Sequence, residues 1–214
     1  MKRIHFAVLL LLILAGTVIS CRKTGQQSFP VTFYSSAIMG SSSIRMFAGG
    51  TEIKDTAVIS KFINKSSYFN LSSVDPADYI TFESSDTAVI RNRGTKFFIS
   101  HTADLFLLYS ATTMVMIDPA DRAAVLLDTM QAYKYKKIAV PAGTNLLNWI
   151  TKEVWVARGD YQALDISYLS YKISIPGTIR SGVIPNEFYE GCIGAFRSTD
   201  TVAFQTCRLR MIAR

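Results

Sequence analysis

From Tyr79 to Ile117 the chain carries five β-rich runs: Tyr79-Ile80-Thr81-Phe82-Glu83, Ala88-Val89-Ile90-Arg91, Lys96-Phe97-Phe98-Ile99-Ser100, Asp104-Leu105-Phe106-Leu107-Leu108-Tyr109 and Met114-Val115-Met116-Ile117. Turn-like Ser84-Ser85-Asp86, Asn92-Arg93-Gly94, Thr102-Ala103 and Ala111-Thr112 separate them. Strands spaced this closely leave no room for crossover helices, so they must pair antiparallel, as a meander. Leu105 to Tyr109 is apolar at every position, which predicts a strand covered on both faces by a second sheet or a helix.

The pattern continues on either side. Phe29 to Tyr34 reads as a strand leading to a Gly-Ser loop at Gly40 to Ser43. Ile44 to Phe47 and Thr51 to Ile53 flank Gly49-Gly50, a two-residue hairpin signal. Asp55 precedes Val58, Ile59, Phe62 and Ile63 at helical spacing and is the expected N-cap of a short helix. Asp118-Pro119 predicts a second helix, with Asp118 as its cap, Pro119 at the first helical position, and Ala123, Leu126, Leu127, Met130 and Tyr133 on its apolar face. Further strands are expected at Ile138 to Pro141, Glu153 to Ala157 and Asp165 to Tyr171, with a Gly143-Thr144-Asn145 turn. The expected fold of residues 29–214 is a single mainly β domain, an antiparallel sandwich or barrel of about ten strands with two short helices. Asp-Pro-Ala-Asp occurs at 75–78 and 118–121, but the flanking sequences diverge at once, so both read as turns or caps.

The first residues give an address. Lys2 and Arg3 precede an apolar run from Phe6 to Ala15, followed by Gly16-Thr17-Val18-Ile19-Ser20-Cys21. That is the layout of an export signal, and Phe6 to Ile19 is shorter than the roughly 20 residues of a spanning helix. Val18-Ile19-Ser20-Cys21 resembles the lipobox of bacterial lipoproteins. The resemblance implies that residues 1–20 are a signal peptide cut before Cys21, whose sulfur then carries acyl chains of the palmitate class. Residues 21–28 would be the lipidated tether, and the bilayer a partner through acylated Cys21. Arg22 is not the Asp that retains such proteins in the inner membrane, and Arg22-Lys23-Thr24-Gly25 has no acid of the kind that marks surface display. The implied location is the outer membrane of the cell envelope, facing the periplasm.

An apolar content of 49% with 18% charged residues excludes disorder. The net charge is +7, and without residues 1–20 it becomes +5, from 21 basic and 16 acidic residues. In that compartment the excess suits lipid headgroups or acidic glycans, and no nucleic-acid partner is expected. Lys134, Lys136 and Lys137, interleaved with Tyr135, are the candidate anion contacts; Arg91, Arg93 and Lys96 read as solvated turn and strand-end charges.

Cys192 and Cys207 remain after Cys21, and two cysteines in an exported chain are expected to pair. Their numbering centres on Thr199-Asp200, which predicts a terminal hairpin of 190–197 with 202–209 and a disulfide across it. The mature chain has one histidine, His101, in phase with Phe97 and Ile99 and expected as an interior or rim group. No Gly-x-Ser-x-Gly surrounds a serine, no mature Ser-x-x-Lys occurs, and one His with two Cys cannot make a zinc set. No catalytic or metal residue is assigned, and no glycine loop suggests a nucleotide cofactor. Glu187 and Glu190 are the remaining paired carboxylates, as a glycan-acting enzyme would require. The reading favoured is a non-catalytic binding or adaptor module with an envelope protein, glycan or lipid as partner. The alternative is a lipocalin-like carrier of a small apolar ligand, recognisable by a cavity with a mouth.

Overall fold

The structure, a computed structural model, describes residues 27–64, 66–71, 78–90, 94–142 and 146–214. Cys21, the signal segment, Arg91, Arg93 and the Gly143 turn lie outside these residues. Twelve strands are described: β1 (Val31–Ser41), β2 (Arg45–Ala48), β3 (Thr51–Ile53), β4 (Tyr79–Phe82), β5 (Thr87–Ile90), β6 (Thr95–Thr102), β7 (Leu105–Ile117), β8 (Ile138–Ala142), β9 (Leu146–Gly159), β10 (Ala163–Ile175), β11 (Thr178–Ile184) and β12 (Thr201–Ala213). Helices α1 (Thr56–Ile63) and α2 (Arg122–Met130) and a 3-10 helix at Glu190–Ala195 complete the order.

Eight strands close into an antiparallel barrel in the order β10-β9-β7-β6-β5-β4-β1-β12, with β10 pairing β12 to complete the circle. The meander is present as β4-β5-β6-β7. Closure depends on distant partners: Phe33 faces Ala213 across β1 and β12, and Leu164 faces Met211 across β10 and β12. Inside, Phe33, Phe82, Phe97, Phe106, Leu108, Leu164 and Ile166 are fully buried, the alternate positions of their strands.

Two extensions rise past one end of the barrel. β10 and β12 continue together from Leu169↔Thr206 to Ser174↔Thr201, and β11 joins β10 while β2 and β3 join β12. Their outer face packs Leu169, Tyr171, Ile173, Val202 and Phe204 under α2 and the 3-10 helix. On the other face α1 sets Ile59, Phe62 and Ile63 against Met46, Phe69 and Ala203. The second extension is an arm of β7, β9 and β8, in which Ile117 faces Trp149 and Trp149 faces Ala139.

Local chemistry explains the joints. Gly49 and Gly50 both take positive φ, 59° and 80°, as a tight hairpin requires. Asp55 caps α1 by accepting from the amides of Ala57 at 2.8 Å and Val58 at 3.2 Å. Four expectations are corrected. The Ala111-Thr112 turn is a bulge inside β7: the four residues between Tyr109 and Met114 lie opposite one residue, Glu153, on β9. Asp121, not Asp118, caps α2, because Asp118 turns back on itself and accepts from the Ala120 amide at 2.8 Å. The cover over Tyr109 is neither sheet nor helix but the segment after α2, where Tyr135 packs edge-on against Tyr109 at 5.3 Å. The terminal hairpin does not form: residues 190–195 are a 3-10 helix packed on Phe47 and Phe204, and Cys207 in β12 faces Tyr168 and Ser41. Both thiols are free and buried in this arrangement.

Candidate functional site

The barrel is filled at one end and hollow at the other. At the filled end Phe82 meets Phe33 at 5.1 Å, Phe106 at 5.7 Å and Tyr161 at 6.3 Å, and Tyr161 also holds Phe29 at 5.5 Å. Edge-to-face rings of this kind make a dense floor. Toward the other end lies a cavity of about 380 Å³ lined by Ser35, Ile80, Ile90, Trp155, Tyr168, Leu209 and Met211, with Asp78, Tyr79, Val183 and Pro185 at its rim. Those seven lining residues come from β1, β4, β5, β9, β10 and β12, six of the eight barrel strands, so the cavity is the upper lumen itself.

The lumen stays open there because β9 and β10 part company. They pair only from Leu164↔Gly159 to Ile166↔Ala157; beyond that, the Val156 amide donates to the Pro185 carbonyl at 3.0 Å instead. A three-residue wedge, Pro185 to Glu187, therefore replaces a strand contact beside the mouth. Asn186, fully buried, locks the wedge: its Oδ1 accepts from the amides of Tyr133 and Glu187, and its Nδ2 donates to the Tyr133 carbonyl at 2.8 Å. The Trp155 indole N–H is satisfied by Glu153 Oε1 at 2.9 Å, which leaves the ring itself as apolar wall. Shape and lining suit one small, largely apolar molecule, and the volume falls within the usual range for ligand sites.

A second cleft, about 470 Å³, runs outside the barrel between Met39 to Ser42 of the β1 end and Glu187 to Glu190. Glu187 and Glu190 do share this cleft, as the paired-carboxylate reading requires. Arg158 grips Glu187 with bonds of 2.8 and 3.1 Å, and Arg45 holds Glu190 at 2.7 Å. Burial would raise the Glu187 carboxyl, but the hydrogen bonds and charge of Arg158, with Ser167 and Arg208, outweigh it and hold it below the usual carboxylate range. A general acid needs the opposite shift. The cleft is larger than the lumen cavity, yet both of its carboxylates are already held by arginines and it is the more open of the two.

The remaining residues singled out by sequence are dispersed. His101 stacks on Phe106 at 4.0 Å on the barrel rim, and its Nε2 lies 2.6 Å from the Ala103 carbonyl of its own turn, with no nucleophile or carboxylate beside it among the described residues. Lys134 and Lys137 converge on the buried Asp128, the first at 3.9 Å, while Lys136 is exposed. Lys96 pairs with Glu83 at 3.1 Å. Burial, with Glu190 nearby, pushes the Cys192 thiol up to about 11, and burial raises Cys207 as well. Among the described residues no group of three His, Cys, Asp or Glu side chains is placed to hold a metal ion. The cavity residues carried no motif; only the inward parity of six separate strands marks them.

The class defined by this geometry is a small closed antiparallel barrel with an apolar cavity at one end. Comparison with protein-family models, with curated proteins and with solved structures finds no match to this chain.

Proposed function

We propose that the chain is a lipid-anchored envelope protein whose barrel mouth binds a small apolar ligand, a non-catalytic module of the carrier kind. The observation that carries this is the lumen cavity of about 380 Å³, walled by Ile80, Ile90, Trp155, Tyr168, Leu209 and Met211 above an aromatic floor. A structural barrel would gain about 0.8 kcal/mol for each methylene used to fill such a space, so an unfilled apolar lumen has a stability cost that ligand binding offsets. The lipobox-like Val18-Ile19-Ser20-Cys21 supports acylation of Cys21 and a periplasm-facing place on the outer membrane. The outer cleft supports a glycan-acting role less well, because the Glu187 carboxyl is shifted away from acid catalysis.

Native mass spectrometry of protein extracted from its own membrane tests this reading. The expected spectrum shows an adduct beyond the acylated chain mass that disappears on denaturation. A single bare mass under native conditions, together with no uptake of added fatty acid or isoprenoid, would remove the carrier function.

A further inference from the structure

We propose that the arm of β7, β9 and β8 is a lipid-contacting surface that seats the barrel mouth against an anionic bilayer. Past the bulge, Met114, Val115, Met116 and Ile117 face Lys152, Thr151, Ile150 and Trp149, and Ile138 faces the same Ile150 from the other side. Met116, Ile150 and Ile138 thus form one row across three strands, and alternation puts Met114 on the same face. Met114 is 61% exposed, Met116 66% and Ile138 55%. Phe98 of β6, 50% exposed, extends the patch through Lys152, whose ammonium stands 5.6 Å from its ring. Soluble surfaces scatter such side chains singly, whereas here they are contiguous.

The charges around the patch select the occupant. Lys152 also stands 5.0 Å from the Tyr135 ring, Lys137 lies 4.7 Å from the Trp149 ring, and Lys136 is exposed. Of the nearby acids, Asp128 is buried against Lys137 and Glu153 accepts from Trp155. Apolar tips backed by aromatic rings and lysine stems suit the headgroup boundary of a membrane. A second copy would bring Lys136 and Lys152 of each chain together, a like-charge contact that disfavours self-association.

Position fits as well. β9 runs from the arm through Trp155 in the cavity wall to Gly159 beside the aromatic floor, so an arm resting on lipid turns the mouth toward that lipid. The chain enters the barrel at the floor end, where Phe29 packs on Tyr161. The eight tether residues from Cys21 to Ser28 reach roughly 27 Å when extended, against roughly 30 Å from Gly159 to Ile150 along β9, so the barrel axis tilts for anchor and arm to share one bilayer. The exchange of ligand with the bilayer rests on the carrier reading; the lipid contact does not.

Trp149 faces Ile117 and Ala139 and so lies on the opposite face of the arm from Met116, so Met116→Trp supplies the reporter within the patch. Full-length Trp149→Phe/Met116→Trp protein purified from its membrane is mixed with phosphatidylcholine and phosphatidylglycerol vesicles carrying brominated acyl chains, and its emission is compared with that of Trp149→Phe alone. The expected result is quenching that is absent in Trp149→Phe alone, weakens in pure phosphatidylcholine and is lost when Met114→Ser and Ile138→Ser are added. Lys136→Gln and Lys152→Gln should each weaken insertion about fivefold. A Met116→Trp reporter unquenched by lipid and open to acrylamide would overturn the proposal. So would concentration-dependent burial of that reporter without lipid, accompanied by dimers in sedimentation. Intact mass reads acylation of Cys21 and native mass reads the ligand, so failure of either leaves the arm's result standing or falling by itself.

Discussion

Trp155 and Tyr168 meet edge to face at the barrel mouth, ring centroids 6.4 Å apart and planes inclined at 67°. They stand on β9 and β10, neighbours that pair only as far as Ile166 and Ala157, so the two rings line the opening left where the strands separate. The opposite end has no such opening, which divides the lumen into a packed half and a binding half with different responses to mutation.

Phe82→Ala removes a fully buried ring in contact with Phe33, Phe106 and Tyr161. The expected loss is about 3–5 kcal/mol in denaturant unfolding. A loss below about 1 kcal/mol would mean that the floor can collapse and is not the rigid base described.

Gly159 ends β9 with φ at +137°, and a Cβ there would sit 2.1 Å from the Ala163 carbonyl oxygen. Gly159→Ala should cost at least about 2 kcal/mol from backbone strain alone, with a matching fall in melting temperature. Wild-type stability in this variant would contradict the turn geometry that closes β9 onto β10.

Glu187 gives a pH signature. Its folded carboxyl lies below the unfolded value because Arg158 and Ser167 overcome its burial, so its stabilisation is present above the unfolded value and is lost as pH falls through the folded one. Glu187→Gln should therefore destabilise by about 2 kcal/mol at neutral pH, and the difference from wild type should shrink once pH drops below about 4. A penalty independent of pH would point to packing instead of the ion pair.

Cys192 and Cys207 are expected to resist alkylation in the native protein and to react with two equivalents of reagent after unfolding without reductant. Burial protects both, and a thiol pushed to about 11, as Cys192 is, holds little thiolate at neutral pH. Recovery of the two cysteine peptides linked under non-reducing conditions would require the 3-10 helix to reposition and would restore the bridge expected from spacing.

The parts legible in the sequence were the local ones. The meander, the Gly49-Gly50 hairpin and the Asp55 cap each depend on residues a few positions apart. Pro176-Gly177, with Gly177 at φ 79°, is an equally local turn signal, at the start of β11. The cysteine spacing alone suggested a strand at 190–197, but Gly191 admits the Tyr189 ring, which a Cβ would meet at 2.5 Å, and packing on Phe47 and Phe204 coils the segment. Barrel closure and the cavity depend on pairing of residues such as Phe33 with Ala213, which no local pattern encodes. Paired carboxylates were legible as a pair, since Glu187 and Glu190 do share a cleft; the arginines that neutralise them come from β2 and β9 and were not.

Titration with the apolar fluorophore N-phenyl-1-naphthylamine tests the cavity most directly, using Trp155 in its wall as the energy-transfer donor. Wild-type protein should bind saturably at one site with Trp155 emission falling in step. Ile90→Trp, which crowds the mouth, should weaken binding at least about tenfold, whereas Arg208→Ala in the outer cleft should leave it unchanged. Absence of saturable binding, or binding indifferent to Ile90→Trp, would contradict the assignment of the barrel mouth as the ligand site.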